Sequence, residues 1–282
     1  MQLITTSAEL TEVQATLRKE NPSLVLGFIP TMGALHDGHM QLIRTAGRFS
    51  DKTICSIFVN PTQFNDPKDL ERYPRTLESD IALLEKNGCD YLFVPSVSEV
   101  YPNGPDENYS IDFNGLDLVM EGVFRPGHFK GVAMVVERLF NLVKPDIAFF
   151  GRKDFQQVAI IKQMVKVKGL NTKIHVVETA RSEDGLALSS RNTLLTDEEK
   201  EDALIVYKTL SMAKKLAGSC SSTAELTEKL IIFFNSGKLR LEYLEIVDDI
   251  TLQPLISIRK GCTCCIAAFC GKVRLIDNIS LL

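Results

Sequence analysis

Apolar and polar stretches alternate along the first two thirds of the chain in a way that predicts strands and helices in turn. Apolar runs bounded by turn residues predict strands at residues 24–30, 53–60, 91–95, 147–151 and 173–178. Between them, apolar positions at helical spacing predict helices at residues 39–49, 77–86, 131–143 and 155–168. This alternation is typical of an α/β domain built on a doubly wound parallel sheet.

The strand runs at 24–30, 53–60 and 147–151 are almost continuously apolar, as in strands that are covered on both faces. Ligands of such sheets bind beyond the carboxyl ends of the strands. The residues that follow each predicted strand are therefore the first candidates for a binding site.

The pattern changes after Glu178. Residues 179–191 are polar and contain Gly and Ser, which indicates a linker. The spacing of Thr196 and Glu199 resembles a capping box and predicts a helix to about residue 216. A further helix is predicted at 223–235, and strands at 243–247, 263–269 and 273–276. We expect two domains, residues 1–178 and a smaller C-terminal α+β lid domain at residues 179–282.

Two histidines stand three residues apart where the first predicted strand meets its helix, in P-T-M-G-A-L-H-D-G-H. A helix N-terminus presents unpaired backbone N–H groups and the positive end of its dipole, which favour anions. Gly33 and Gly38 let a ligand approach the backbone closely. His36 and His39 at such a turn suit the phosphates of a nucleotide. The alternative is two exposed loop histidines, which we disfavour because the chain has only four.

Neutral polar side chains follow the second predicted strand, in F-V-N-P-T-Q-F. Asn60 and Gln63 can orient a small polar substrate by hydrogen bonds. The alternative is a structural turn closed by Asn60-Pro61.

The segment G-R-K-D-F-Q-Q follows the fourth predicted strand and opens a helix. Gly151 permits a tight turn, and Lys153 can reach phosphate oxygens as a point charge. Asp154 suits the first turn of a helix and can also help to position magnesium or a ribose. Gln157 lies one turn after Lys153 on the same face. The alternative is a solvated cap with a surface lysine.

Two further segments are weaker candidates. Ser189, Ser190 and Arg191 lie near the presumed domain boundary, where two hydroxyls and a guanidinium can clamp a phosphate as a hinge closes. His128, in R-P-G-H-F-K-G, is either a substrate contact or part of a structural turn and cap.

Composition narrows the class of partner. The 282 residues carry a net charge of −4 and no basic stripe, which argues against nucleic acid. No apolar run approaches the roughly 20 residues that cross a bilayer, and the N-terminus lacks a signal-peptide pattern. We therefore expect a cytoplasmic protein without a membrane partner.

Four of the seven cysteines crowd together late in the chain. Cys262, Cys264, Cys265 and Cys270 match no standard zinc spacing and have no histidine near them in the sequence. We predict reduced thiols in a buried strand rather than a metal site.

Seven motifs in order make the chain resemble the pantothenate synthetase (pantoate–β-alanine ligase) family over essentially its whole length. They are P-T-M-G-A-L-H-D-G-H, S-I-F-V-N-P-T-Q-F, Y-P-R-T, R-P-G-H-F-K-G-V, G-R-K-D-F-Q-Q, D-G-L-A-L-S-S-R-N and R-L-I-D-N. The resemblance implies a Rossmann-like fold of the HxGH nucleotidyltransferase group. It also implies ATP as a substrate, magnesium and a cytoplasmic homodimer.

The implied reaction is an ATP-dependent condensation of (R)-pantoate with β-alanine to pantothenate, through pantoyl adenylate, with release of AMP and pyrophosphate. His36 and His39 are implied on the phosphates, His39 as the proton-donating catalytic residue, and Lys153 and Arg191 complete the implied catalytic set. Pantoate-site residues by resemblance are Gln63 (also near β-alanine), Gln157, Asn60 and Tyr73. The other implied ATP contacts are Met32, Gly33, Ala34, Leu35, Asp37, Gly38, Gly151, Arg152, Asp154, Ala180, Leu188, Ser189 and Ser190.

Three positions depart from the family pattern. Thr62 and Leu188 stand where Met is frequent, and Arg152 stands where Glu is frequent. Leu188 preserves apolar character, whereas Arg152 adds a positive charge near the expected phosphate path.

Two other functions compete with this one. Another HxGH enzyme would transfer a nucleotide to a phosphate acceptor, but the neutral Gln63 and Gln157 argue against a phosphate there. A non-catalytic nucleotide sensor is disfavoured by the presence of both histidines together with Lys153 and Arg191.

Overall fold

The computed structural model describes residues 1–63, 70, 71 and 73–282. These residues divide into two compact units. The first comprises Met1–Asp117, Gly122–Gly151 and Gln157–Val177, and the second comprises Leu118–Glu121, Arg152–Gln156 and Glu178–Leu282. The second unit therefore takes two short segments from within the N-terminal part of the chain.

The first unit is built on a six-stranded parallel sheet, which confirms the predicted doubly wound α/β fold. Its strands are β1 (Gln2–Ile4), β2 (Leu26–Thr31), β3 (Lys52–Ile57), β4 (Tyr91–Phe93), β5 (Ile147–Gly151) and β6 (Lys173–Val177). They lie in the order β1-β4-β3-β2-β5-β6. The chain leaves β2 toward β3 on one side and later reaches β5 on the other. The boundary between β2 and β5 is therefore the switch point at which sheets of this kind bind ligands.

Helices connect and cover these strands. They are α1 (Ser7–Glu20), α2 (Asp37–Phe49), α3 (Leu77–Lys86), α4 (Val97–Val100), α5 (Glu121–Phe124), α6 (His128–Val143) and α7 (Phe155–Val167). On α2, the buried residues Met40, Ile43 and Ala46 pack in one cluster with Ile29 and Phe149 of the sheet. This apolar stripe holds α2 against the sheet. Among the described residues, no helix has the length and hydrophobicity to cross a membrane.

The second unit combines α8 (Asp197–Leu216) and α9 (Thr223–Phe234) with an antiparallel sheet, as the predicted α+β pattern requires. The sheet has the order β7 (Arg240–Asp248), β8 (Cys262–Cys270) and β9 (Val273–Ser280). The predicted capping box at the start of α8 is confirmed, since Thr196 and Glu199 bond each other's backbone N–H groups.

The late cysteines lie in β8, which confirms the predicted buried strand. Alternation along the strand places Cys262, Cys264 and Cys270 in the core of the second unit. Cys265 is buried outside that cluster. Burial raises the pKa of the Cys264 thiol to about 12, so it stays protonated at neutral pH. The arrangement is that of core side chains.

Several element boundaries differ from the predictions. The second predicted strand ends at Ile57 rather than at residue 60, because the chain turns there. The Asn60 side chain accepts the backbone N–H of Thr62 within that turn. Helix α2 begins at Asp37, and α6 begins at His128 rather than at residue 131. Neither β1 nor α1 was predicted.

Candidate active site

The carboxyl end of β2 leads into α2 through the loop that carries the two histidines. His36 immediately precedes the helix, and its Nδ1 accepts the backbone N–H of Gly38 at 3.1 Å. His39 reaches back in the same way, since its Nδ1 accepts the backbone N–H of His36 at 3.3 Å. The two rings lie 4.1 Å apart between centroids. Histidines thus form the reciprocal cap that Ser or Thr with Glu usually provides.

This cap fixes which nitrogen of each ring carries the proton. A backbone N–H donates to Nδ1 of both His36 and His39, so the neutral rings hold their proton on Nε2. Each Nε2–H can then donate to an oxygen of an anionic ligand. Both side chains are half-buried, and the positive end of the α2 dipole adds to the attraction for an anion.

A buried carboxylate on α3 holds the loop that precedes the histidines. Asp80 is 1% exposed and accepts the backbone N–H groups of Ala34 at 2.9 Å and Leu35 at 2.8 Å. Ala34 has a φ of 49°, which is uncommon for a residue with a Cβ, so these bonds stabilise a strained backbone. A Cβ on neighbouring Gly33 would lie 3.1 Å from Asp80 Oδ2. Asp80 belongs to none of the sequence motifs, so its role follows only from the fold.

The predicted substrate residue Gln63 ends a short 3₁₀ turn after β3. His128 is buried, with its Nδ1 3.0 Å from the carbonyl oxygen of Gln63 and its Nε2 3.0 Å from Arg125 Nη1. Because a guanidinium only donates, Nε2 accepts there and Nδ1–H donates to Gln63. Of the two roles left open for His128, the structure supports the structural one.

Asn60 stabilises the same turn. It is 1% exposed, and its Oδ1 accepts the hydroxyl of Tyr101 at 3.1 Å and the N–H of Thr62 at 3.3 Å. Burial raises the pKa of Tyr101, so the hydroxyl remains a donor. A Cβ on Gly131 would lie 2.4 Å from the Thr62 carbonyl oxygen, so glycine lets the turn pack on α6. The backbone beside Gln63 is therefore held by buried contacts on both sides.

The 3₁₀ turn that follows β5 holds Arg152, Lys153 and Asp154 and belongs to the second unit. Lys153 Nζ lies 3.4 Å from Asp154 Oδ1. Arg152 Nη2 donates to the hydroxyl of Thr263 on β8 at 3.3 Å, and its guanidinium lies 5.8 Å from the centre of the Phe155 ring. Arg152, which departs from the family pattern, thus makes both of these contacts within the second unit.

The remaining predicted ATP segment forms a hairpin and a short helix in the second unit. The N–H of Leu188 donates to the carbonyl of Ala180 at 2.9 Å, which joins the two arms of the hairpin. Ser189 caps the helix Ser190–Leu194 by accepting the N–H of Arg191 at 3.3 Å. Its oxygen therefore accepts within the cap, and its O–H proton is what it can offer to a phosphate.

The predicted site residues fall into two groups. In the first unit, the carboxyl ends of the parallel strands share one edge of the sheet, where we find Met32 to His39, Asn60, Gln63 and Gly151. Tyr73 is buried and Gln157 is half-buried in the same unit. The second unit contains Arg152, Lys153, Asp154, Ala180 and Leu188 to Arg191. Phe64, the last residue of the F-V-N-P-T-Q-F motif, lies outside the described residues.

The side chains that could coordinate a metal ion decide what kind of metal site these residues can form. In the part of the chain that the structure describes, no three His, Cys, Asp or Glu side chains group as in a protein-built metal cage. The Asp154 side chain is 44% exposed, so its carboxylate can contribute one ligand to an ion held mainly by another molecule.

Comparison with known proteins decides the family. A model described as pantoate-beta-alanine ligase matches residues 2–280. The chain belongs to the pantoate–β-alanine ligase family. The model covers almost the whole chain and describes a ligase, and so does the name of a relative that is 47% identical over 258 residues, so the chain is a ligase. The pantothenate synthetase of Bacteroides thetaiotaomicron is 48% identical over 276 residues, which cover 96% of this chain and 94% of the relative.

Solved structures of the family share the whole fold. Pantothenate synthetase from Thermus thermophilus superposes with a TM-score of 0.91 at 41% identity, covering 100% of this chain and 99% of its own. A pantoate–β-alanine ligase from Francisella tularensis, complexed with beta-gamma ATP and beta-alanine, has a TM-score of 0.82 at 38% identity and covers 100% and 98%. The family assignment thus extends to the three-dimensional structure.

Proposed function

We propose that this ligase condenses (R)-pantoate with β-alanine through a pantoyl-adenylate intermediate, consuming ATP and releasing AMP and pyrophosphate. The observation that carries the proposal is the reciprocal histidine cap at the start of α2. That cap holds both imidazoles at a helix N-terminus beyond the carboxyl end of β2. The complex of the Francisella tularensis relative with beta-gamma ATP and beta-alanine supports ATP and β-alanine as substrates here.

In the first step, a pantoate carboxylate oxygen attacks the α-phosphorus of ATP. The bond from that phosphorus to the bridging oxygen breaks, and pyrophosphate leaves with the electron pair. His36 and His39 donate Nε2–H bonds to the phosphate oxygens, where charge grows in the transition state. Lys153 and Arg191 neutralise the leaving pyrophosphate. Most of the catalysis is therefore positioning and charge stabilisation.

In the second step, the amine of β-alanine attacks the acyl carbon of the adenylate, and AMP leaves. The amine reacts only when unprotonated, and an ordinary ammonium has a pKa of about 10. The nucleophile must therefore lose a proton before or during attack. We assign Gln63 to the border between the pantoate and β-alanine positions, as the family resemblance implies, and the turn that carries it is held by His128 and Asn60.

Gln63 and Gln157, together with Tyr73, suit pantoate because they are neutral. An arginine fork would bind the carboxylate tightly in the ground state, which does not speed its attack on ATP. Amide groups orient the carboxylate and the two hydroxyls and leave the attacking oxygen reactive. This argument also disfavours a phosphate acceptor.

Magnesium fits the site as a companion of ATP. Such an ion keeps several waters and binds through one or two carboxylates and the substrate phosphates, which needs no three-residue protein cage. Asp154 is the carboxylate that we assign to it. When bound, magnesium would neutralise phosphate charge.

An assay of AMP release tests the proposal. Purified enzyme with ATP and magnesium should release AMP only when pantoate and β-alanine are both present, and pyrophosphate with pantoate alone in a single turnover. AMP release without β-alanine, or nucleotide transfer to a phosphate ester, would assign the chain to a different reaction. Binding of ATP without any turnover would indicate a sensor.

The expected homodimer and cytoplasmic location stay predictions. Light scattering at micromolar concentration should give twice the 31.4 kDa chain mass, and fractionation of the source cells should recover the enzyme with cytoplasmic markers.

A further inference from the structure

Two segments of the second unit that we assign to ATP are attached to neighbouring residues of β9. The turn with Lys153 bonds Asn278, and the hairpin with Ala180 bonds Asp277 through Arg181. These residues belong to the R-L-I-D-N motif, whose role does not follow from the sequence alone.

Asn278 contacts the turn through one amide group. Its Nδ2 donates to the carbonyl oxygens of Arg152 at 2.9 Å and Lys153 at 3.0 Å. The residue is 3% exposed, and its Oδ1 is buried with no hydrogen-bond partner among the described residues. The side chain therefore acts here only as a double donor. The turn places two carbonyls against one NH₂ group, and this determines where the backbone of Lys153 lies.

Asn278 is itself held rigidly. Its backbone N–H donates to Asp277 Oδ1 at 2.8 Å. The carboxylate of Asp277, 4% exposed, also receives Arg181 Nη1 at 2.5 Å and Nη2 at 3.0 Å. Arg181 in turn donates to the carbonyl of Gly185 at 3.2 Å and lies 4.6 Å over the Tyr207 ring. A buried, bidentate ion pair thus fixes the strand position from which Asn278 reaches the turn.

We propose that Asn278 is a positioning residue for adenylate formation, which sets the place of Lys153 by binding the two carbonyls of its turn. The inference rests on the proposed function, because it assumes that Lys153 acts on the phosphates of ATP. A misplaced ammonium loses much of its attraction for a transition-state charge, since that attraction depends on preorganised distance. The β-alanine step does not use those phosphates and should not depend on Asn278.

Two substitutions of Asn278 test this in the full-length enzyme. Asn278→Asp keeps the shape but turns an oxygen toward two carbonyl oxygens, and Asn278→Ala removes the donor without adding charge. For both we expect pyrophosphate release with ATP and pantoate to slow by about tenfold or more in a single turnover. Reaction of pre-made pantoyl adenylate with β-alanine should stay within about twofold of the wild type. Asn235→Asp, at the exposed end of α9, adds the same charge as a control and should change neither step.

A double-mutant cycle with Lys153→Ala separates positioning from general damage. If Asn278 acts through Lys153, Asn278→Ala should cost little further rate in the Lys153→Ala background. Losses that multiply in the double variant, or equal losses in both half-reactions, would overturn the proposal. Melting curves confirm folding, and Asn278→Ala answers the question if Asn278→Asp does not fold. A wild-type enzyme that released no pyrophosphate with pantoate would instead overturn the proposed function, and this inference with it.

Discussion

The loop after β2 and the turn after β5 both carry residues that we assign to the phosphates of ATP, yet they are held in place differently. The histidines after β2 cap their own helix, and the residues just before them are bonded by Asp80, which lies 46 residues after Ala34 in the chain. The turn with Lys153 depends on Asn278, 125 residues away and in a different sheet. The first loop is organised largely by local geometry, and the second by the tertiary structure of the second unit.

This difference separates two ways in which a substitution can reduce activity. At the start of α2, the chemistry and the support are provided by the same side chains, so removing a histidine removes both. Around Lys153 the charge and its support are separate residues. Variants can therefore remove one and keep the other.

The largest effect is expected at the first loop. His39→Ala should slow pyrophosphate release in a single turnover by about 10²–10³, the usual cost of losing one preorganised donor. It also removes the acceptor for the N–H of His36, so we expect a modest loss of thermal stability.

His175→Ala is the matched control, because His175 lies between Phe49 and Phe149 and has no assigned role. It should melt earlier but keep its rate. Pyrophosphate release by His39→Ala at the wild-type rate would contradict the assignment of His39.

Lys153→Ala should come next, with a loss of about 10² in the ATP step. Because the lysine is assigned to phosphates, pre-made pantoyl adenylate should still react with β-alanine at close to the wild-type rate. Rapid-quench measurement of both half-reactions checks this. Lys200→Ala, which removes only a surface ion pair with Asp197, should leave both unchanged. An equal loss in both half-reactions would show a different role for Lys153.

The adjacent Gln156 and Gln157 provide a third test. Gln157→Ala should lower kcat/KM for pantoate, because substrate hydroxyls lose a hydrogen-bond partner. The loss should correspond to about 1–3 kcal/mol of transition-state stabilisation, and ATP binding should not change. Gln156 donates to the carbonyl of Val119 and accepts the N–H of Glu121, so Gln156→Ala should mainly lower the melting temperature.

Calorimetry with ATP and with pantoate, followed by steady-state kinetics, distinguishes the two variants. A tenfold weaker affinity for ATP in Gln157→Ala with normal pantoate kinetics would move Gln157 to the nucleotide site. Gln63→Ala should impair both half-reactions, because Gln63 is assigned to both substrates.

The smallest expected effect tests how much the loop after β2 depends on Asp80, which lies outside it. Asp80→Asn keeps one acceptor oxygen but turns an NH₂ group toward a backbone N–H, so unfolding should require about 1–3 kcal/mol less free energy. Denaturant titration measures it, with Asp197→Asn at the exposed start of α8 as the control. Unchanged stability would show that the left-handed Ala34 needs no help from Asp80.

The parts of the fold that follow from periodicity could be predicted from the sequence. Helix α3 has the predicted bounds of 77–86, because Leu77, Ile81 and Leu84 recur at helical spacing. Strand β5 has the predicted bounds of 147–151, because a strand that is buried on both faces produces a continuous apolar run. The strand β1 has three residues, and α1 buries only Leu10 and Leu17, so neither gave a strong pattern. The capping box of Thr6 and Glu9 was the signal that could have identified α1.

The candidate site also contains residues that the sequence could predict and residues that it could not. Residues directly after strands, such as His36 and Lys153, could be selected because the parallel sheet makes those positions special. Asp80 and Asn278 could not, because an Asp on a helix and an Asn on a strand have no local feature that reveals a backbone partner far along the chain. The buried role of His128 also needed the fold, since only the fold brings Gln63 beside it.

The attachment of the Lys153 turn to β9 also bears on the timing of synthesis. A ribosome makes Lys153 and every residue that we assign to ATP before it makes Asn278. The turn gains its two hydrogen bonds from the Asn278 side chain only after β9 has been translated and has paired with β8. A nascent chain that already contains all its catalytic side chains therefore still lacks the contact that places one of them, so we expect adenylate formation to begin late in biogenesis.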